Sequence, residues 1–98
     1  LLLDEPTAGL DLAGREAFVE RIDDLARDPH AAPMVLVTHH VEEIPASFTR
    51  LLALRAGRVV RDGALPHALD DALLSECFDM SLTVTRHDDG RFSARRAR

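Results

Sequence analysis

Two short apolar runs, Leu1-Leu2-Leu3 and Met34-Val35-Leu36-Val37, decide most of what this chain can fold into. A continuous apolar run rich in β-branched residues reads as a strand buried on both faces, as in parallel sheets. Between the runs, from Leu12 to about Arg27, the pattern turns helical. Phe18, Ile22, Leu25 and Ala26 fall on one face, while Arg15, Glu16, Glu20, Asp23 and Asp24 take the other. Asp28-Pro29 ends the helix, because the residue before a proline avoids the helical region. Strand, amphipathic helix and strand make a βαβ unit, with parallel strands and a right-handed crossover. The C-terminal ends of both strands then share one edge, which is where open α/β sheets bind their ligands. Asp4-Glu5 follows the first run and Thr38-His39-His40 the second, so these residues should converge. With neighbouring strands ~4.8 Å apart, the Glu5 carboxylate and the His39 ring should lie roughly within 10 Å of each other.

The remaining chain reads as smaller elements. Val41-Glu42-Glu43-Ile44 suits a short helix stopped by Pro45. Leu51–Leu54 and Arg58–Arg61 flank Arg55-Ala56-Gly57, a hairpin with Gly57 at positive φ. Asp70–Phe78 reads as a helix with Leu73, Leu74 and Phe78 on one face. Leu82, Val84 and Phe92 flank His87-Asp88-Asp89-Gly90, a second hairpin signal. A net charge of -5 with both signs interspersed gives no footprint for nucleic acid. Arg95, Arg96 and Arg98 read as a solvated terminus, and the single Cys77 fits a reducing compartment. No apolar run approaches membrane-spanning length, so a membrane would matter through a partner. His30, His67 and His87 carry no chemical signal beyond exposure or core packing. An opening on an apolar strand, with no leading loop, is expected of a chain cut on its N-terminal side.

The chemistry concentrates in two motifs. A carboxylate at the exit of a buried strand is held rigidly, where it can orient the water shell of a Mg²⁺ ion. The acid after it can position or deprotonate an attacking water. Taken alone, Leu1–Glu5 reads better as a strand followed by a solvated acidic turn. The longer stretch Leu3-Asp4-Glu5-Pro6-Thr7-Ala8-Gly9-Leu10-Asp11 resembles the Walker B motif and D-loop of ATP-binding-cassette (ABC) ATPases at nearly every position. Val35-Leu36-Val37-Thr38-His39 resembles their H-loop, and Leu51–Gly63 the strand pair that follows it.

That resemblance implies a partial P-loop NTPase fold of class α/β, a βαβ unit with C-terminal hairpins and a helix. It implies ATP and Mg²⁺ as ligands, with Asp4 on the metal and Glu5 as the catalytic carboxylate. Asp11 would be the D-loop acid reaching across a dimer interface. His39 would contact the γ-phosphate, where a histidine can donate a hydrogen bond to developing negative charge. His40 takes no role. Residues 1–63 would belong to the nucleotide-binding domain, and residues 64–98, helix plus hairpin, to an appendage. A second ATPase subunit would dock head to tail, and a membrane permease would hold the pair at the inner face of the cell membrane, in the cytoplasm.

All twelve basic residues are arginine, and glutamine, asparagine, tyrosine and tryptophan are absent. The P-loop lysine, the Q-loop glutamine and the Leu-Ser-Gly-Gly-Gln signature therefore have no counterparts in this chain, and all precede Walker B in the family. By itself the chain is expected not to hydrolyse ATP, and its parallel sheet to have a gap with exposed edges. ATPases of the DNA-repair and translation-factor types share these motifs and remain the alternative to a transporter. Translation factors typically read Asn-His-Leu-Asp where this chain has Ala8-Gly9-Leu10-Asp11. A non-catalytic dimerisation module is the third reading.

Overall fold

Strand β1 (Leu2–Asp4) pairs in parallel with β2 (Val35–Val37), Leu2 opposite Val35 and Asp4 opposite Val37. Helix α1 (Leu12–Arg27) connects them, within the span its periodicity predicts. The computed structural model describes residues 1–97; Arg98, one of the terminal arginines noted above, lies outside the described residues. The described residues form two compact units, residues 1–48 with the loop 88–91, and residues 49–87 with 92–97.

In the first unit, α1 starts on Asp11, whose carboxylate accepts the Gly14 amide at 2.8 Å and so satisfies one of the unpaired donors of the first turn. Its buried stripe is Val19 and Ile22, which share the core with Val41, Ile44 and the fully buried Pro45. The short helix expected after His40 is a single 3-10 turn, Val41–Glu43. Two details differ from the sequence reading. Leu25 is 49% exposed although its spacing placed it on the apolar face, because the narrow 3-10 turn covers only the Val19–Ile22 stripe. Asp23, assigned to the solvated face, accepts the Ser47 amide at 2.8 Å and Arg27 Nε at 2.9 Å, and ties the end of the unit to the helix.

The two strands that read as buried on both faces are not. Leu2 is 67% and Val35 59% exposed, and only Leu3 and Leu36 are half-buried. With two strands and one helix, one side chain of each alternating pair finds no covering layer. The apolar sequence matches a sheet with both faces covered, and this sheet has one face open.

The second unit holds two antiparallel hairpins and a helix. Strands β3 (Arg50–Arg55) and β4 (Arg58–Ala64) turn on Ala56-Gly57, both at positive φ (51° and 75°), as a two-residue type I′ loop requires. Gly63 is needed for space, since a Cβ there would sit 2.9 Å from the Cβ of Ala68. Helix α2 (Asp71–Phe78) is capped by Asp70, which accepts the Leu73 amide at 2.8 Å and pairs with Arg61 at 2.9 Å. Strands β5 (Leu82–Arg86) and β6 (Phe92–Arg96) form the last hairpin. The core here is Ala68, Leu69, Leu73, Leu74 and Phe92. Phe78 is 47% exposed, so of the expected helix face only Leu73 and Leu74 are buried. Among the described residues, each of the three sheets has two strands.

Candidate functional site

Because β1 and β2 run the same way, their C-terminal ends meet at one edge. The ladder continues one residue past β1, where the Glu5 amide donates to the Val37 carbonyl at 2.8 Å. Glu5 then adopts a left-handed backbone, φ 45°, which is uncommon for a residue with a side chain. That reversal starts the turn, and the Ala8 amide closes it by donating to the Glu5 carbonyl at 3.2 Å. The Glu5 carboxylate and the His39 ring stand 3.2 Å apart, Oε1 to Nε2. Both are half or more exposed, so the contact by itself adds little stability. Its chemical interest is access: a carboxylate and an imidazole in mutual reach, open to solvent, can orient a water and take or give a proton.

Asp4 ends β1 and is exposed beside this pair. Among the described residues, no three His, Cys, Asp or Glu side chains are gathered as a metal site. A Mg²⁺ ion carried largely by phosphate oxygens and water needs only one or two protein carboxylates, so the donor set fits that use. Asp11 is the helix cap described above, so its carboxylate is engaged by its own helix. His40 is exposed, and its backbone amide donates to Thr38 Oγ1 at 3.0 Å.

One residue of the site is not evident from the sequence. Glu43 is 6% exposed, and its two carboxylate oxygens accept from the hydroxyls of Thr7 and Thr38. Thr7 lies in the turn after Glu5, and Thr38 immediately precedes His39. The available signal was the pair of threonines, one behind each motif, with an acid flanked by apolar residues soon after the second. Burial pushes the Glu43 carboxyl up, but hydrogen bonds from Thr38 and Thr7, with the charges of His40 and Arg15, outweigh it and hold the carboxyl below its usual value of 4.5. Asp23 is likewise held below 3.8: burial raises it, and the Ser47 and Arg27 contacts overcome that. A carboxyl depressed in the folded state contributes stability that is complete above its unfolded pKa and lost as pH falls through the folded one. Denaturation midpoints should therefore be flat above about pH 5 and fall on acidification below it. Glu43→Gln should flatten that fall, and an unchanged acid limb would remove Glu43 from the account.

No family profile matches the chain. It is 38% identical over 95 residues to the ABC transporter ATP-binding protein YlmA of Bacillus subtilis, covering 97% of this chain and 36% of that protein. The chain belongs to the ABC transporter ATP-binding proteins. Another member, the cobalt import ATP-binding protein CbiO of Rhodobacter capsulatus, is 48% identical over 73 residues, 72% of this chain and 25% of its own length. The hemin import ATP-binding protein HmuV of Nocardia farcinica is 39% identical over 87 residues, 89% of this chain and 30% of its own. A solved ABC transporter in an inward-facing conformation superposes with a TM-score of 0.74 at 24% identity, over 95% of this chain and 37% of that one. That likeness shows the fold, a part of the ABC ATPase domain. The chain spans about a third of the length of the ABC relatives it matches over most of its own length.

Proposed function

We propose that this chain supplies the Walker B, D-loop and switch-histidine part of an ATP site in an ATPase subunit that drives transport across a membrane. The observation that carries the reading is the meeting of Glu5 and His39 at the common C-terminal edge of two parallel strands. In the assembled site, the Glu5 carboxylate orients the attacking water and accepts its proton. His39 Nε2, which touches that carboxylate at 3.2 Å in the free chain, turns its donor toward the γ-phosphate when nucleotide is bound and so frees Glu5 for the water. Asp4 holds the metal side of the nucleotide. Mg²⁺, when bound, supplies charge neutralisation at the β- and γ-phosphates. Asp11 marks the turn that faces a second subunit, and residues 64–98 act as an appendage to the nucleotide-binding domain of residues 1–63.

The P-loop lysine, Q-loop glutamine and signature sequence must come from other polypeptide, so the chain alone is inactive. The partners of the whole protein are a second ATPase subunit, head to tail, and a membrane permease. Among the described residues no helix is long and apolar enough to cross a membrane. Two relatives are named as import proteins, which favours uptake over export.

The test compares two neighbouring histidines in the full-length ATPase. His39→Ala should lower ATP turnover on the order of a hundredfold, the usual loss when a donor to developing charge is removed. His40→Ala, which leaves the Glu5–His39 pair and both hydroxyl contacts of Glu43 in place, should stay within about twofold, inside the scatter of surface substitutions. Equal effects at the two positions would refute the assignment of His39.

A further inference from the structure

A buried carboxylate is costly unless its acceptor capacity is used, and an apolar side chain of similar size would be easier to accommodate at position 43. The side chain is fixed from below by the 3-10 turn, whose neighbours Val41, Ile44 and Pro45 are all buried. Its two oxygens are divided between two chain segments, Oε2 to Thr7 and Oε1 to Thr38. Thr7 is itself 7% exposed, and its carbonyl accepts the Leu10 amide at 3.0 Å, so its position governs the whole turn from Glu5 to Leu10. Thr38 Oγ1 accepts the His40 amide at 3.0 Å while donating to Glu43, which pins the backbone on both sides of His39. An apolar residue could fill this space but could not hold two hydroxyls at a fixed separation.

We propose that Glu43 is a positioning residue for hydrolysis, a carboxylate clamp that sets the separation of Glu5 and His39 through Thr7 and Thr38. The proposal rests on the ATPase reading above. The clamp joins the segment carrying the general base to the segment carrying the histidine at their roots, where a small displacement is magnified at the side-chain tips. Misplacing a reacting group by about 1 Å can cost on the order of a hundredfold in rate, so the expected effect is on turnover and not on nucleotide affinity.

The experiment uses the full-length ATPase with Glu43→Gln and, as controls, Thr38→Ser, Thr38→Val and Glu5→Gln. A glutamine keeps the shape but offers one acceptor oxygen in place of two. Glu43→Gln should lower kcat about 10- to 100-fold with KM for ATP within about twofold, the split expected when only transition-state geometry is lost. Thr38→Ser, which keeps the hydroxyl, should turn over near the wild-type rate, while Thr38→Val should follow Glu43→Gln. In the nucleotide-free protein, the His39 ring resonances should shift in Glu43→Gln and Thr38→Val but not in Thr38→Ser. Wild-type kcat in Glu43→Gln overturns the proposal. So does a parallel loss of stability, KM and kcat with no difference between Thr38→Ser and Thr38→Val, since that describes simple core damage. If Glu43→Gln fails to fold, the two Thr38 variants decide on the same criteria. Wild-type turnover in Glu5→Gln would instead sink the ATPase reading, separately from the clamp.

Discussion

Replacing Glu5 with glutamine in the full-length protein should lower ATP turnover by about 10²- to 10⁴-fold, the range a positioned general base contributes. Nucleotide binding should persist, because glutamine has nearly the same shape and the phosphates are gripped elsewhere. The local structure favours a clean outcome. The Glu5 amide is held by Val37 at 2.8 Å and its carbonyl by Ala8 at 3.2 Å, so the backbone does not depend on the carboxylate. The side-chain contact that is altered, 3.2 Å to His39, is exposed and contributes little to stability. Steady-state hydrolysis and equilibrium nucleotide binding, measured on the same preparation, separate the two effects. Turnover at the wild-type rate would remove Glu5 from the chemistry.

The second large effect concerns stability. Leu73 is 2% exposed and sits on α2 among Leu69, Leu74 and Phe92, in a core with few other members. Leu73→Ala should destabilise the second unit by about 2–5 kcal/mol, from lost burial plus the cavity left behind. Small domains have only about 5–15 kcal/mol in total, so the variant should unfold at a clearly lower denaturant concentration. Leu52 and Leu54 are 58% and 57% exposed on β3, and their alanine variants should change stability by only about 0.5 kcal/mol. Denaturation of this chain and its three variants tests the ranking, and a Leu73→Ala midpoint equal to that of Leu52→Ala would contradict it.

The path of the backbone was largely legible in the sequence. The change from apolar run to 3.6-residue period and back marked β1, α1 and β2, and the glycines at 57 and 90 marked the hairpins. Parallel pairing then brought Glu5 and His39 together with no further information. What stayed hidden depends on contacts between segments distant in sequence. Glu43 looks like half of an ordinary acidic pair with Glu42, and only the return of Thr7 and Thr38 to the same place gives it partners. Leu25 carries the right spacing, but spacing cannot say how wide the covering element is. The exposure of Leu2 and Val35 has the same origin, since an apolar strand reports that it prefers cover without reporting where the cover comes from. Asp11 shows the converse. Its place in the D-loop pattern suggested a role toward a partner, while its capping of α1 is a local role that any Asp before a helix can play.

The left-handed backbone at Glu5 sets evolvability against function at that position. A residue with a side chain in this region carries a conformational cost on the order of 1–3 kcal/mol, which glycine largely escapes. If Glu5 is the proposed catalytic carboxylate, position 5 has its most stable occupant and its most useful occupant in different amino acids. Selection for thermal tolerance alone would drift toward glycine here and discard the carboxylate, the ordinary form of a trade between stability and activity. On the reading proposed above, glutamate in that conformation is what a chain keeps when the chemistry, and not the fold, is being selected.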